Sequence, residues 1–493
     1  MILEDVLKGV PVLSLAGDPH IEITAIAYAS AEVVPGALFA ALKGEKKDGH
    51  DFIPDALKRG AAAILSDRPQ PEGGLEGTTA AWIQVFDPRD SLALGAANFY
   101  GHPARRLKLV GITGTKGKTT LTYLLEAILE KAGFTVGVIG TINYRRPGVV
   151  RTAVRTTPEA PDLQRMLAEM LEAGVTHCVM EVSSHALDRK RVSRIGFDVA
   201  VFTNLSGDHL DYHLTMEDYF EAKKKLFFLN DKSKRTAVVN DDDPWGQRLI
   251  AELPMTTIGF GLSPSALVRA ERPKLDGLGI EALIRFPGGQ VAIASPLSGK
   301  HNLYNILAAF SSALALGIPA TIIRDGIAAM SQVPGRFERV DNSLGFHVYV
   351  DYAHTDAALR SILEAARELK PAHLAVVFGA GGDRDRSKRP RMGEAAAELA
   401  DRIYLTSDNP RSEDPLVILK EIEKGLHKAG AGPYALIPDR REAIAKALSE
   451  ARRGDIVIIA GKGHETYQEI GGRKHAFSDV ETAREILRSM GSR

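Results

Sequence analysis

The apolar positions of this chain fall into three successive patterns. Residues 1 to about 105 carry short runs ("GALFAALKG", "AAAILSD", "AAWIQV") broken by turn residues, then a helix-like "SLALGAANFYGHP". Its Gly-His-Pro reads as a helix stop and a linker. From "LKLVGITGTKGKTT" onward the runs become continuous: "KLVGIT", "FTVGVIG", "HCVMEV", "DVAVFTNL", "TAVVN", with helical periodicity between them. Strands apolar on both faces and separated by helices predict a parallel sheet with helices on both sides. Runs near 256–298 ("TTIGFG", "GIEALIRF", "QVAIASPL") predict a strand-rich interlude before the helix "NLYNILAAFSSALALG". From "VPGRFERV", near 333, the alternation resumes in "HVYVDY", "LAVVFGAGG", "RIYLTSD" and "DIVIIAGKG". Each of these strands ends in a polar or glycine-rich loop, and open α/β sheets bind ligands at the carboxyl ends of their strands.

The expected architecture is α/β with three domains, at 1–105, 106–332 and 333–493, since 493 residues exceed a single core. Composition removes several classes of function. Lys plus Arg and Asp plus Glu both number 62, so no global charge draws the chain to nucleic acid. No apolar run approaches the roughly 20 residues that span a bilayer, and the acidic, amphipathic start "MILEDVLKGVPVL" is unlike a signal peptide. The one cysteine, Cys178, reads as a small buried hydrophobe and fits a reducing compartment. A cytoplasmic protein without nucleic-acid binding or membrane insertion is expected.

The chemistry-bearing stretch is "VGITGTKGKTTLTYLL", a strand, a glycine-rich turn and a helix. In a P-loop, backbone N–H groups and a helix N-terminus surround phosphate oxygens; a lysine adds charge and the next hydroxyl ligates magnesium. Lys118 and Thr119 fill the last two roles. The usual spacing is altered: Gly111 lies one place too far back, and Gly114, Thr115, Lys116 and Gly117 form a compact turn ahead of Thr120. Glu181 ends the strand "HCVME" and is placed to join Thr119 as a hard oxygen ligand. In "NLSGDHLDYH", Asp208, His209, Asp211 and His213 suggest a metal site; the set lacks a cysteine, so a magnesium role for His209 is preferred to zinc. Lys223, Lys224 and Lys225 would ordinarily form a solvated helix face. The loops "FGAGGDRDRSKRP", "SDNPRSEDP" and "AGKGHETYQ" offer Arg384, Arg386, Arg411, Lys462, His464 and Glu465, an array suited to an anionic substrate.

These motifs, in this order, resemble the Mur ligases, ATP-dependent enzymes that add amino acids to the peptide stem of peptidoglycan. The resemblance runs from about residue 22 to 480 through "GTKGKTT", "TTPEAPDLQ", "MEVSSHALDRKRV", "NLSGDHLDYH", "HNLYNILAA", "DYAHT", "GGDRDRSKRP", "DNPR" and "GKGHE". It implies a central P-loop ATPase-like sheet domain between a small N-terminal UDP-binding α/β domain and a Rossmann-like, amino-acid-binding C-terminal domain, in a monomer. It is closest to members that add the third stem residue. The implied substrates are ATP, UDP-N-acetylmuramoyl-L-Ala-D-Glu and meso-diaminopimelate, joined through an acyl phosphate.

Carried over position by position, the resemblance implies ATP contacts at Gly114 to Thr120 and at Asn302, Asn305, Arg336 and Asp351. Thr119, Glu181, His209 and Lys223 would hold two magnesium ions, Lys223 as N6-carboxylysine, with Lys118, Glu181, His209 and Lys223 the catalytic set. Ser30, Thr156, Thr157, Ser183, Arg189 and Arg191 match positions that contact the UDP-sugar dipeptide. Arg384, Asp408, Asn409, Pro410, Arg411, Gly461 and Glu465 match the diaminopimelate pocket, where Arg411 suits the distal carboxylate that lysine lacks. The chain departs from the family at Ala29-Ser30-Ala31, where Asp-Ser-Arg is usual, and at Lys116, where asparagine is common. A relative using L-lysine or another nucleotide donor, and a non-catalytic sensor, are the alternatives.

Overall fold

The computed structural model describes residues 1–44, 47–72, 78–229, 235–277 and 279–491. They form two compact units, residues 1–266 with 308–323 and residues 267–307 with 324–493.

The first unit holds two sheets. The smaller has the order Val12–Ala16, Ala81–Val85, Ala63–Ser66, Ala37–Ala40, Ala25–Ala27, antiparallel at the first pair and parallel elsewhere. Two of its three inner strands, Ala37–Ala40 and Ala63–Ser66, are buried at every position. The helix Pro88–Phe99 starts where Asp87 accepts the Arg89 and Asp90 N–H groups and Pro88 fills its first turn. It stops at Tyr100, followed by Gly101 at φ 70°, as the Gly-His-Pro signal implied.

The larger sheet runs in parallel through Thr257–Gly261, Thr236–Asn240, Val199–Phe202, Lys108–Thr113, His177–Glu181 and Val136–Ile139. An antiparallel hairpin, Asn143–Arg146 and Val149–Thr152, extends it. Lys108–Thr113 lies at its centre, with Glu181 opposite Ile112 and Phe202 opposite Thr113. This register brings the carboxyl ends of three strands level at the glycine-rich turn. Cys178 is fully buried among apolar side chains, and burial pushes its thiol up to about 12, so it is inert packing.

The second unit contains an antiparallel meander, Val268–Asp276, Gly279–Phe286 and Gly289–Ser295. Its main sheet has the order Glu338–Arg339, His347–Asp351, Ile456–Ala460, Leu374–Phe378, Arg402–Leu405, Tyr434–Leu436, parallel after the first pair. Helices Asp356–Glu368, Lys388–Leu399 and Pro415–Lys428 pack on one face, and Arg440–Glu450 and Asp479–Gly491 on the other. Apolar residues on both faces of each inner strand are what this covering requires. No described helix is long and apolar enough to cross a membrane.

Candidate active site

The glycine-rich turn follows Lys108–Thr113 and feeds the helix Lys118–Lys131. Two of its glycines are obligatory. Gly117 caps the helix at φ 88°, and Gly114 sits at φ 142° where a Cβ would fall 1.9 Å from the Thr203 hydroxyl. The turn is held from outside by the end of the neighbouring strand. Thr203 Oγ1 donates to the Lys116 carbonyl at 2.7 Å, Thr115 N–H donates to the Asn204 carbonyl at 2.9 Å, and Lys116 N–H donates to Asn204 Oδ1 at 3.0 Å. Lys116 itself is exposed.

Four of the predicted groups converge here. Thr119 Oγ1 donates to the two Glu181 carboxylate oxygens at 3.0 and 3.1 Å, both residues being buried. Thr141, unmarked in the sequence reading, completes the carboxylate's environment with its N–H at 2.8 Å and its hydroxyl at 3.0 Å. Gly140 leaves room for this, since a Cβ there would lie 2.6 Å from Glu181 Oε1. Lys118 Nζ donates to the Gly114 and Thr115 carbonyls at 2.8 and 3.0 Å, and Lys223 Nζ reaches the same Gly114 carbonyl at 2.9 Å.

Lys223 departs from the solvated face expected of a Lys-Lys-Lys run. It is fully buried on the inner side of Met216–Lys224 with its ammonium 4.2 Å from the Tyr219 ring, while Lys225 stays exposed. Burial, reinforced by Lys118, holds its amine well below the usual lysine value. His209, at φ 54°, lies in an aromatic cluster with His185 at 4.9 Å and Tyr219 at 6.1 Å. Burial lowers its imidazole against the pull of Asp208, with Lys118 and Lys223 adding to the effect.

Of the residues matched to the UDP-sugar dipeptide, Thr156, Thr157, Ser183 and Arg191 adjoin this centre. Thr156 and Thr141 hydroxyls are 3.1 Å apart, and Thr157 Oγ1 donates to the Glu181 carbonyl at 2.8 Å while accepting Ser183 N–H at 3.1 Å. Arg191 is buried, donates to the Thr157 carbonyl at 3.1 Å and pairs with Glu159 at 2.9 Å. Arg189 lies 5.3 Å over the Tyr212 ring. Ser30 opens a short turn far from this group in sequence, and its hydroxyl bond holds the exposed Asp55 carboxyl below the usual range. The intervening residues are used structurally: Lys190 pairs with Asp87 and Arg194 with Asp90.

The predicted amino-acid pocket, and the nucleotide positions beyond the glycine-rich turn, belong to the second unit. Asn302 and Asn305 are bonded to each other at 3.0 Å, with Asn302 also donating to the Ser298 carbonyl at 2.8 Å. Asp351 accepts the Phe337 and Ala353 N–H groups at 2.8 Å each, and Arg336 lies 5.1 Å over the Tyr352 ring. The same ring meets His464 at 5.0 Å, and burial together with Arg336 pushes that imidazole down to about 4.

The folded value of His464 lies below its unfolded value, so its stabilising contribution is present above about pH 6.5 and lost as pH falls toward 4. The loss of stability between pH 7 and pH 5 is expected to be smaller in His464→Phe than in the unaltered protein, by about 1 kcal/mol after allowing for partial exposure. Denaturant unfolding at the two pH values measures it; equal losses would assign the titration to other groups.

Asn409, Glu465 and Asp408 meet where the loops after Arg402–Leu405 and Ile456–Ala460 come together, joined by Lys462. Gly461 keeps φ 116° where a Cβ would lie 2.7 Å from Asp408 Oδ2. Burial pushes the Asp408 carboxyl up, against the pull of Arg440 and Lys462. Arg411, at φ 52°, donates to the Gly382 carbonyl at 2.6 Å and pairs with Glu469 at 3.3 Å, so its guanidinium is already oriented on two sides. Pro410 packs its carbonyl where a Cβ on Gly382 would fall 1.9 Å away. Arg384 is exposed on the "GGDRDR" loop.

Two buried arginines that the sequence reading left out brace these loops. Arg389 holds Glu413 at 2.8 Å, Glu421 at 2.7 Å and the Gly381 carbonyl at 3.2 Å. Arg440 grips Asp479 through two bonds of 2.7 Å and donates to the Ala460 carbonyl at 2.9 Å.

Comparison with known proteins bears on this arrangement. Residues 22–100 match the Mur ligase family catalytic domain, 112–313 the Mur ligase middle domain and 335–463 the Mur ligase glutamate ligase domain. A protein of Solibacter usitatus (strain Ellin6076) named UDP-N-acetylmuramoyl-L-alanyl-D-glutamate--2,6-diaminopimelate ligase is 47% identical over 471 residues, 95% of this chain and 94% of that relative. The chain belongs to the Mur ligase family. A relative of the same name from Geobacter metallireducens is 44% identical over 514 residues, covering 100% of this Mur ligase and 99% of its own length. A solved structure of an enzyme so named aligns with TM-score 0.72 at 32% identity over 100% of this chain and 99% of that one. The fold alone extends to MurF from Thermotoga maritima in complex with ADP, with TM-score 0.62 at 24% identity over 94% of this chain and 97% of that one. The three-domain α/β architecture expected from the apolar runs is therefore that of a Mur ligase.

Proposed function

We propose that this Mur ligase uses ATP to join meso-diaminopimelate to the D-Glu side-chain carboxylate of UDP-N-acetylmuramoyl-L-Ala-D-Glu. The observation that carries it is the Thr119–Glu181 pair, set beside Lys118 and Lys223 at the carboxyl end of the central strand. Transfer of the γ-phosphoryl group to the carboxylate gives an acyl phosphate and ADP; the incoming amine then attacks the acyl carbon and phosphate leaves. Such chemistry depends on positioning and charge neutralisation rather than on a covalent enzyme intermediate. Lys118 would leave the loop carbonyls for the β- and γ-phosphates, with the N–H groups of Gly114 to Thr120 around them. Asn302, Asn305, Arg336 and Asp351 would also serve the nucleotide.

The donors present fit magnesium: a hydroxyl and a carboxylate in contact, backed by Thr141, form a hard oxygen site. Thr119 and Glu181 would hold one ion, and His209 with Lys223 a second. Bound magnesium neutralises phosphate charge. Lys223 fits N6-carboxylysine because its buried amine favours the neutral form, which adds to CO2 with loss of one proton. Thr156, Thr157, Ser183, Arg189, Arg191 and Ser30 would contact the UDP-sugar dipeptide; Arg384, Asp408, Asn409, Pro410, Arg411, Gly461 and Glu465 would take the amino acid. The three roles would divide at about residues 105 and 332, and ATP and a UDP-linked precursor as substrates favour a cytoplasmic enzyme.

Phosphate release is expected with ATP, magnesium and the UDP-dipeptide only when meso-diaminopimelate is added, with a UDP-tripeptide product identified by mass. A product with L-lysine instead would keep the mechanism and overturn the amino-acid assignment. No product with either, while ATP still binds, would point to another nucleotide donor, consistent with Ala29 and Ala31 beside Ser30.

A further inference from the structure

Lys462 has no solvent exposure, yet it is a lysine in a loop of a binding site. A buried ammonium persists only where several acceptors surround it. Here Nζ donates to Asn409 Oδ1 at 3.1 Å and to Glu465 Oε2 at 2.9 Å, with Asp408 Oδ1 at 3.9 Å and the Tyr467 ring at 5.7 Å.

These bonds determine what the neighbouring groups can offer a ligand. The Asn409 amide oxygen has two lone pairs, and both are used, by Lys462 Nζ and by Glu469 N–H at 2.9 Å. Two donors at one atom also fix which way round the amide lies. Asn409 Nδ2 gives one hydrogen to Glu465 Oε2 at 2.9 Å and keeps one to donate. Glu465 Oε2 receives both Asn409 and Lys462, which leaves Oε1 as its open acceptor. The pair thus presents one donor and one acceptor side by side in a set order.

We propose that Lys462 is a positioning residue that fixes this order, so that Asn409 donates to the carboxylate and Glu465 accepts from the ammonium of one amino-acid centre of the incoming substrate. The inference rests on the pocket assignment made above and goes beyond it to the handedness of the ligand. A centre of opposite configuration would exchange its ammonium and carboxylate, setting donor against donor and acceptor against acceptor. Without Lys462 the Asn409 oxygen is held by the Glu469 N–H alone and Glu465 Oε2 by Asn409 alone, so the order of donor and acceptor loses its charged support.

The test is steady-state kinetics of Lys462→Met with meso- and LL-diaminopimelate, each carrying both groups and differing only in configuration. KM for meso-diaminopimelate is expected to rise about 10- to 100-fold, as loss of groups that orient a binding shell generally costs. KM for ATP and for the UDP-dipeptide should stay unchanged, and the meso-over-LL preference should fall. Combining Lys462→Met with Asn409→Ala should cost little more than the worse single change, because the two act as one unit. An unchanged meso-over-LL preference, or additive costs, would overturn the positioning role. Lys462→Gln, shorter and uncharged, is measured alongside; loss of the folded state in both variants would assign Lys462 to stability instead. If the unaltered enzyme does not add diaminopimelate, the pocket assignment fails; if it does and Lys462→Met keeps its KM and stereopreference, only this inference fails.

Discussion

Glu181→Gln is expected to lower kcat by about 10^3-fold while leaving KM for the UDP-dipeptide and meso-diaminopimelate within a few-fold, since one charge-stabilising group at a phosphoryl-transfer centre commonly contributes about 3–4 kcal/mol. The substitution keeps size and shape, so the effect is electronic. Glu181 accepts from three donors, the Thr119 hydroxyl shared between its two oxygens, the Thr141 N–H and the Thr141 hydroxyl. A carboxylate can take all of them because it has only acceptors; glutamine must turn an NH2 toward donors and leave at least one pair facing donor to donor. Thr119 then loses its orienting partner and the site loses its negative charge, which weakens magnesium. Removing a buried carboxylate need not lower stability, so a thermal midpoint near that of the unaltered protein should accompany the lost activity. A magnesium titration separates the causes. Full recovery of kcat at high magnesium would limit Glu181 to metal affinity, and a kcat within tenfold throughout would remove it from the catalytic set.

The parts of the fold that were legible are those where burial on both faces leaves an unbroken apolar run. "KLVGIT" and "IVIIA" could be read directly because each lies between two parallel neighbours under helices on both sides. Glu181 stood out for the same reason, as a carboxylate closing an apolar strand. By that criterion Thr141 should also have been marked, being the polar residue just past "VGVIG" on the adjacent strand of the same sheet. The burial of Lys223 had a signal in its helix. Tyr219 and Lys223 are four residues apart and share the inner face, so the period of 3.6 separates Lys223 from Lys225 where the bare lysine run does not.

Other features were beyond the sequence because they depend on partners distant along the chain. Nothing in "GGDRDRSKRP" distinguishes the fully buried Arg389 from the exposed Arg384 and Arg386, since the choice is made by Glu413 and Glu421 on another segment. The array of basic groups at the strand ends suggests that Lys462 faces an anionic ligand; instead it is fully buried, its ammonium bonded to Asn409 and Glu465. The sequence offers Arg411 as a candidate carboxylate partner but gives no sign of its attachment to Gly382 and Glu469.

That attachment sets the expected result for Arg411→Ala, a loss of about 10^2- to 10^3-fold in kcat/KM for meso-diaminopimelate, the usual consequence of truncating one member of a desolvated, hydrogen-bonded charge pair. Arg411 would be a strong anchor because the Gly382 carbonyl and Glu469 hold the guanidinium plane before any ligand arrives, so little rotamer entropy would remain to be lost on binding. The ligand's distal carboxylate would share the guanidinium with Glu469, and the small separation of two anions is tolerable only while the arginine lies between them. Alanine removes the attraction and leaves Glu469 to repel the same carboxylate. L-Lysine, lacking that carboxylate, gains nothing from Arg411 and meets no repulsion without it, so its low kcat/KM should be almost unchanged. The preference for meso-diaminopimelate over lysine should therefore collapse from one side. Adding Glu469→Gln should restore part of the loss by removing the repulsion, with kcat/KM for both amino acids measured in parallel. A fall of equal size for lysine would show that Arg411 supports the loop rather than reading the carboxylate.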